Sequence, residues 1–551
     1  MLKSYALATE QKKHWATCAV RLAFVVLIAA TLPAASTPLL CAQSSSRPPA
    51  QTPSAPSTPA PRSSGLTVNV RLVVLDVVVT DKAGKPVDGL TAKDFQIFED
   101  NHLQRIRSLE PPSAHTLPPA SAAAGLSAVF DPAQPASFGH SPANILVLDQ
   151  LNTHFADNSF ARRSLHDYLA GQPALLPQPA TLLTVSDDHF KQLQAFTRDR
   201  DALLRALAAA PAAYPWKLEI NGKTSYGAIQ RLDQSLRALE QIAQSYARIS
   251  GRKNLIWVGG GFPTIAPTTI DGNDAQEVKD TLRHVTDVLL DAHIALYAVD
   301  PSSSAAGMTE ITDSSQMEFV EMGGDAISGT IDPFGASDDF DRLGPVSGGR
   351  VVRGRNDIAR QIASSVDLGA RFYTISYTPS NLSEAATQYR RIRIVCLRPG
   401  LTATTRIGYY SDDATQQRSS ATAAYDLTTA AQSALPLNGL RVAVERDASP
   451  GAYIVHAGTA NLAWKTKDDG SATASVYIMA VSLDAKGRML GHTLHGMTAN
   501  AKPGAKLSDP AKMADFAFPV QPVPKAATLR FVVRDNATGR MGSADLPLKA
   551  R

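Results

Sequence analysis

The fold is decided by a short run in the second quarter of the chain, Ile145-Leu146-Val147-Leu148-Asp149-Gln150-Leu151-Asn152-Thr153. Four apolar residues in succession are typical of a strand that is covered on both faces, as the central strands of parallel sheets are. Polar side chains begin at Asp149, directly after the last of these residues. The run therefore predicts a buried parallel strand that ends in a polar loop at one edge of a sheet.

Strand-like and helix-like segments alternate on the C-terminal side of this run. Short apolar runs predict strands at residues 181–185, 255–258, 294–299 and 372–377. Apolar residues at helical spacing predict helices at residues 159–169, 199–207, 226–249, 274–290 and 357–366. Such alternation is typical of a doubly wound, mostly parallel α/β sheet with helices on both faces. We place this α/β domain at residues 143–411, with a hairpin extension at residues 389–411.

Two smaller β units are predicted on either side of the α/β domain. Residues 73–79 are apolar on both alternating faces and are followed by turn residues, so we expect a small β domain at residues 65–110. Alternating strands separated by hairpin-like turns predict a C-terminal β-sandwich at residues 425–551. Segments rich in Ser, Pro and Ala predict a disordered linker at residues 43–64 and a second linker at residues 111–142.

The N-terminal residues have the pattern of an export signal. A basic stretch ends at Arg21, and the apolar run Leu22–Leu32 is about half the ~20 residues that cross a bilayer. A plausible cleavage site at Leu40-Cys41-Ala42 predicts a signal peptide at residues 1–42 and export to the periplasm, the outer surface or the medium. An uncleaved anchor stays open as an alternative. We expect no transmembrane helix after this segment, because no later apolar run is long enough.

Composition restricts the class of partner. Hydrophobic residues make up 44% of the chain and charged residues 19%, which is enough apolar material for packed cores. The formal net charge is +4, and it falls to roughly +1 when residues 1–42 are removed. A nearly neutral chain gives no electrostatic reason to expect nucleic acid as a partner.

Six short motifs stand in a particular order along the chain: Val73–Thr80, Gly89–Phe95 with Glu99-Asp100-Asn101, Ile145–Thr153, Phe196–Arg200, Gly251–Leu255 and Tyr409-Tyr410. In this order and spacing they resemble the von Willebrand factor A-related proteins of the exported acidobacterial type. The resemblance covers about residues 66–411 and implies a vWA fold, which is Rossmann-like in outline. It also implies an interaction module, since many vWA domains bind a protein ligand through a divalent metal.

The resemblance implies a metal site at the carboxyl edge of the central sheet, where loops leave parallel strands. The usual first loop of the family reads Asp-x-Ser-x-Ser. In this chain Asp149 matches the Asp and Thr153 can replace the second Ser, whereas Leu151 replaces the first Ser and cannot bind a metal. The third-loop Asp has no counterpart near Gly259-Gly260-Gly261. The implied site is therefore degenerate.

The implied ligands of this degenerate site, for Mg²⁺ or Mn²⁺, are Asp149, Thr153 and Thr224. Further binding residues on the same loops would be Asn152, Ser225 and Gly260. A second use of Asp149 stays open, in which its carboxylate caps the following helix or accepts hydrogen bonds from loop amides. Only the first use makes the loop a metal site.

Local catalytic motifs are absent from the sequence, which contains no Gly-x-Ser-x-Gly or His-Glu-x-x-His motif. Phe262-Pro263 follows the glycine run where a phosphate loop needs a helix N-terminus. We predict that the chain is no enzyme and mediates protein–protein or adhesive contacts at the cell envelope, with an unknown protein or glycan as its ligand. Two alternatives stay open: a structural envelope scaffold that has lost ligand binding, and an exported hydrolase whose residues leave no local signature.

Overall fold

The computed structural model describes residues 72–220, 224–263, 272–302, 333–334, 342–380 and 389–548. The described residues all belong to one compact unit, which spans residues 69–551. The predicted signal peptide and first linker lie outside the described residues. Of the helices that the structure describes, none is both long enough and apolar enough to span a membrane.

The strands, numbered in chain order, are β1 (Val73–Thr80), β2 (Phe95–Glu99), β3 (His102–Gln104), β4 (Ile106–Glu110), β5 (Ala143–Asp149), β6 (Leu175–Val185), β7 (Phe190–Asp199), β8 (Lys253–Val258), β9 (Ile294–Val299), β10 (Arg350–Val352), β11 (Tyr373–Tyr377), β12 (Tyr389–Cys396), β13 (Thr402–Thr404), β14 (Gly408–Tyr410), β15 (Val442–Arg446), β16 (Ala452–Gly458), β17 (Lys465–Thr466), β18 (Ala472–Leu483), β19 (Met489–Ala501), β20 (Met513–Pro519), β21 (Thr528–Asp535) and β22 (Met541–Pro547). The α-helices are α1 (Pro119–Ala123), α2 (Phe155–Ala170), α3 (Arg200–Ala209), α4 (Trp216–Glu219), α5 (Ser225–Tyr246), α6 (Gly272–Asp291), α7 (Leu343–Ser347), α8 (Ile358–Ala370), α9 (Asp412–Ala421) and α10 (Ala423–Ala431).

A six-stranded sheet in the order β10-β9-β8-β5-β6-β7 forms the centre of the fold. Its strands pair in parallel except β7, which is antiparallel to β6 at the edge. Every residue of β5, β8 and β9 is buried. Ile145 and Trp257 face a core that includes residues of α5 and α6, whereas Leu146 and Ile256 face one that includes residues of α2 and α8. The prediction of a mixed α/β fold with a mostly parallel sheet is confirmed.

The small β unit is assembled from two distant pieces of the chain. β1 pairs with β11 and β13, and β2 pairs with β12, in two four-stranded sheets ordered β13-β1-β11-β4 and β14-β12-β2-β3. The sequence assigned residues 65–110 alone to this unit and residues 372–377 to the central sheet. That second assignment is wrong, because the inward side chains of Tyr373, Ile375 and Tyr377 pack against β1 and β2. A short apolar run predicts a strand without indicating its partner.

The segment at residues 111–142 is part of the fold, although its composition predicts a linker. It contains α1 and several turns of 3₁₀-helix. Phe130 and Phe138 are buried, and the ring centroid of Phe138 lies 5.3 Å from that of Phe130 and 5.2 Å from that of Phe196. Each buried aromatic side chain removes a large apolar area from water, so these residues outweigh the Pro, Ser and Ala around them.

The C-terminal strands form two antiparallel sheets, β15-β16-β20 and β17-β18-β21-β22, and β19 pairs with β18. One hydrophobic cluster contains residues of both sheets. The ring of Phe531 on β21 lies 5.2 Å from that of Tyr453 on β16 and 5.9 Å from that of Phe518 on β20, measured between centroids. Two antiparallel sheets are thus present at the expected place, and their assignment as a β-sandwich stays a prediction.

Candidate interaction site at the carboxyl edge of the central sheet

The loops after β5, β6 and β8 meet the segment between α3 and α5 at the carboxyl edge of the sheet. Gln150 links them: its Nε2 donates to Thr184 Oγ1 at 3.0 Å and to the Pro211 carbonyl at 3.3 Å, and its Oε1 accepts from the Ala213 amide at 2.8 Å. Gln150 is fully buried. Direct hydrogen bonds or close packing join four of the predicted site residues here: Asp149, Asn152, Thr153 and Gly260.

Asp149 organises the loop that follows β5. Its Oδ1 accepts from the amides of Leu151 and Asn152 at 2.8 and 2.9 Å, and its Oδ2 accepts from Trp257 Nε1 at 2.9 Å and from Asn152 Nδ2 at 3.3 Å. Burial raises the pKa of Asp149 from 3.8 to about 6, although these hydrogen bonds favour the charged form. Of the two uses left open by the sequence, the structure shows hydrogen bonding to loop amides.

Thr153 and the glycine run after β8 hold two loops together. Thr153 Oγ1 donates to the Asp149 carbonyl at 2.5 Å and accepts from the Gly260 amide at 2.9 Å. A Cβ on Gly260 would lie 2.0 Å from the carbonyl oxygen of Asn152, and one on Gly259 would lie 2.4 Å from Asp149 Cβ. Side chains at these positions would push the loops apart, so the glycines are needed for the close approach.

The predicted second-loop ligands lie at the start of α5. Thr224 is exposed and serves as the N-cap of α5, where its Oγ1 accepts from the Gly227 amide at 3.1 Å. The side chain of Ser225 lies outside the described residues. Further along α5, the buried guanidinium of Arg231 is influenced by the site: burial lowers its pKa, and the charges of Asp187 and Asp149 oppose that shift. A cationic side chain therefore already acts on the Asp149 carboxylate.

These residues do not fit a Mg²⁺ or Mn²⁺ ion in the arrangement that they adopt. Mg²⁺ requires about six oxygen ligands in near-octahedral positions. Both carboxylate oxygens of Asp149 already accept two hydrogen bonds each, and the hydroxyl of Thr153 is engaged on both sides. Asn152 Oδ1 is a buried side-chain oxygen of the predicted first loop without a hydrogen-bond partner. Metal binding at Asp149 would require the loop to rearrange, and it stays a prediction.

An exposed group of aromatic rings covers the same edge, and sequence reasoning missed it. Phe155, Tyr214 and Trp216 are 48%, 40% and 59% exposed. The centroid of the Tyr214 ring lies 5.2 Å from that of Phe155 and 4.6 Å from that of Trp216. We call these three residues the aromatic patch. Ile220 and Tyr226, also exposed, belong to the same stretch of chain. The only signal in the sequence is Tyr214-Pro215-Trp216, which has no helical or strand-like periodicity.

Hydrogen bonds fix the position of α4, which carries part of the aromatic patch. Glu219 of α4 accepts from the Phe155 amide at 3.0 Å, and its Oε1 lies 3.3 Å from His154 Nδ1. Lys217 donates through its amide to Asp187 Oδ2 at 3.0 Å and through Nζ to Gln234 Oε1 at 2.8 Å. These bonds join α4 to the start of α2, to the loop after β6 and to α5. The backbone that carries the patch is thereby held in place.

Comparison with known proteins adds little to this geometry. No family model matches the chain, and no curated protein matches it. One similar solved structure is titled "Crystal Structure of the SpRpn10 VWA domain"; it is 13% identical, and the match covers 29% of this chain and 75% of that chain with a TM-score of 0.16.

Proposed function

We propose that this chain is an exported, vWA-like interaction protein that binds a protein partner at the cell envelope through the aromatic patch. The observation that carries the proposal is the patch itself: three contacting aromatic rings, each at least 40% exposed, at the carboxyl edge of the sheet. Exposed apolar groups of this kind mark interaction sites on soluble proteins. Trp and Tyr in particular are enriched among the residues that contribute most to protein–protein affinity.

The position and rigidity of the patch support the same proposal. Ligands of open α/β sheets bind outside the carboxyl ends of the strands, which is where the patch lies. Because Glu219 and Lys217 already fix α4, little conformational entropy remains to be lost on binding. The export pattern in residues 1–42 supports a partner in the envelope or outside the cell.

The proposed contact needs no metal ion at Asp149. The carboxylate of Asp149 is fully buried and accepts four hydrogen bonds, so it is not available to a ligand-bridging cation in this arrangement. Trp216 and Tyr214 instead offer apolar area directly to a partner. A metal-bridged contact, as the family resemblance implies, is the competing form of the proposal, and it differs in requiring Asp149.

The first experiment compares patch variants with matched controls. Trp216→Ala and Tyr214→Ala remove rings from the patch, whereas Leu103→Ala and Val129→Ala remove apolar side chains exposed elsewhere. We expect each patch variant to reduce recovery of one envelope protein roughly tenfold or more, which corresponds to a hot spot of about 1.4 kcal/mol or above. Recovery is measured by quantitative mass spectrometry after co-purification with the mature chain, and urea unfolding verifies that each variant is folded.

Two results would contradict this proposal. Unchanged recovery in both patch variants would show that the rings do not contact the partner. The second result is a glycan that the wild-type chain retains and both patch variants release, while the recovered proteins stay the same. In that case the partner would be a carbohydrate and not a protein.

A further inference from the structure

A buried cluster of three potential metal ligands lies away from the aromatic patch. Glu240 of α5, His284 of α6 and Asp426 of α10 each offer one ligand atom, and these atoms lie within 4.8 Å of one another. All three residues are buried, with exposed fractions of 0–2%. Three helices that are far apart in sequence thus bring an imidazole and two carboxylates to one point.

The carboxylate of Glu240 has no hydrogen-bond donor among the described residues, since neither of its oxygens has a partner. Beside it, His284 Nε2 and Asp426 Oδ1 lie 2.7 Å apart, which is the distance of an ion pair. Leaving a buried polar group unpaired costs about 1–3 kcal/mol, and more for a charged group. A buried carboxylate without a donor, next to a second carboxylate and an imidazole, is the arrangement expected around a cation.

A neighbouring arginine holds the cluster in position. Arg534 of β21 donates through Nε to Asp426 Oδ2 at 2.6 Å and is itself fixed by Ser419, whose Oγ lies 2.9 Å from Arg534 Nη2. Because Arg534 engages only one oxygen of Asp426, the other oxygen remains directed at His284 and Glu240. Hydrogen bonds from outside the ligand set commonly orient carboxylate ligands in this way.

The surroundings of Glu240 disfavour the charged form of its carboxylate. Burial raises the pKa of Glu240 well above 4.5, and the negative charge of Asp426 raises it further. A divalent cation beside the carboxylate would favour the charged form.

A cavity of about 460 Å³ adjoins His284 and lies between α6, the β12–β14 sheet and the β21–β22 turn. His284 lines this cavity, together with Asp287 and Gln244. The imidazole thus borders both the cavity and the cluster. A cation held by three protein ligands would still have room for water or a small ligand on the cavity side.

We propose that Glu240, His284 and Asp426 bind one divalent cation, with Zn²⁺ the best match to one imidazole and two carboxylates. The ion would join α5 and α6 of the α/β core to α10, and so fasten the C-terminal region to the rest of the protein. The site lies outside the loops after β5, β6 and β8, and it is independent of the function proposed for the aromatic patch.

The test uses the full mature chain, stripped of metal by a chelator and titrated calorimetrically with Zn²⁺. We expect one Zn²⁺ per chain and a higher melting temperature when Zn²⁺ is bound. Glu240→Gln and His284→Gln should each weaken binding roughly tenfold or more. His456→Gln is the matched control, because His456 also lies beside two carboxylates, Asp515 and Glu445, but at a partly exposed position. It should bind Zn²⁺ as the wild type does.

The proposal is overturned if the stripped wild type binds no Zn²⁺, or if both Glu240→Gln and His284→Gln bind it with unchanged affinity. X-ray absorption at the zinc edge of the wild-type protein provides a second measurement that does not depend on the folding of the variants. It should show one imidazole and oxygen ligands. A ligand shell without imidazole would also overturn the proposal.

Discussion

At the scale of single residues, the loop after β5 illustrates how hydrogen bonds compensate one buried carboxylate. Asp149 is fully buried and accepts hydrogen bonds from two backbone amides, an indole and a side-chain amide. The four donors compensate in part for the loss of water, but burial remains the larger effect on the pKa of Asp149. The residue that a family resemblance marks as a metal ligand therefore stabilises the loop in this chain.

The raised pKa of Asp149 makes stability depend on pH in a particular direction. Because its folded-state pKa of about 6 exceeds the ordinary 3.8, the folded state binds the proton more tightly than the unfolded state. The contribution of Asp149 to the free energy of unfolding is fully present below pH 4 and is lost as the pH rises through 6. The loss amounts to about 3 kcal/mol. Urea unfolding of the wild type and of Asp149→Asn between pH 4 and pH 7 measures this loss.

The asparagine in Asp149→Asn does not titrate. As the pH rises, the free energy of unfolding of the wild type should therefore fall relative to that of the variant by up to about 3 kcal/mol. A difference that is constant over this range would show that Asp149 has an ordinary pKa. Titration of Mg²⁺ into both proteins at pH 7 adds a check on the competing use of Asp149. Binding that disappears in Asp149→Asn would establish a metal site.

At the scale of elements, some features could be predicted from the sequence and others could not. The long helices are close to their predictions: residues 226–249 against Ser225–Tyr246, and residues 274–290 against Gly272–Asp291. Their apolar stripes are local patterns with a fixed period. The partner of β11 and the packing of residues 111–142 depend on contacts between distant residues, which a local pattern does not contain.

The candidate site was predictable to a similar degree. Asp149, Asn152, Thr153 and Gly260 do meet, because parallel strands direct their following loops to one edge. The aromatic patch was missed because Trp and Tyr are usually at least partly buried, and only the tertiary structure shows that Tyr214 and Trp216 remain exposed. The cluster of Glu240, His284 and Asp426 joins three helices and leaves no spacing to recognise.

The contact between the β5 and β8 loops predicts a cost for filling the space at Gly260. In Gly260→Ala the added Cβ would lie 2.0 Å from a carbonyl oxygen, so the loops must separate. We expect the free energy of unfolding to fall by about 1–3 kcal/mol, as in other overpacked sites. Gly496→Ala is the control, since its Cβ would make ordinary contacts of 3.5 Å with Tyr477. Equal losses in the two variants would refute the close approach.

At the scale of the whole molecule, the C-terminal sheets contact the α/β core through hydrogen bonds and an ion pair with α5 and α6. Gln244 donates to the Gly539 carbonyl at 3.1 Å and accepts from the Met541 amide at 2.8 Å. Arg540 donates to both carboxylate oxygens of Asp291 at 2.7 Å. We expect these polar contacts to couple the folding of the two regions, so that the aromatic patch and the C-terminal sheets unfold together.

This coupling predicts the behaviour of Gln244→Ala. The change leaves a buried amide of Met541 and a carbonyl of Gly539 without this partner, and we expect a loss of about 2–3 kcal/mol. Calorimetry should show one unfolding transition for the wild type and a lower or divided one for the variant. Gln276→Ala, which removes an exposed glutamine from α6, should change stability by less than about 0.5 kcal/mol. An unchanged single transition in Gln244→Ala would show that the joint does not couple the regions.

The most direct test of the proposed function is photo-crosslinking in living cells, with a benzophenone amino acid placed at Ile220 or Tyr226, or at the control positions Leu103 or Val129. All four positions are exposed, and only the first two belong to the stretch of chain that carries the aromatic patch, whose three rings stay intact in every variant. We predict one discrete protein adduct from positions 220 and 226 and none from positions 103 and 129. No adduct from positions 220 and 226, or the same adducts from all four positions, would contradict the proposed function.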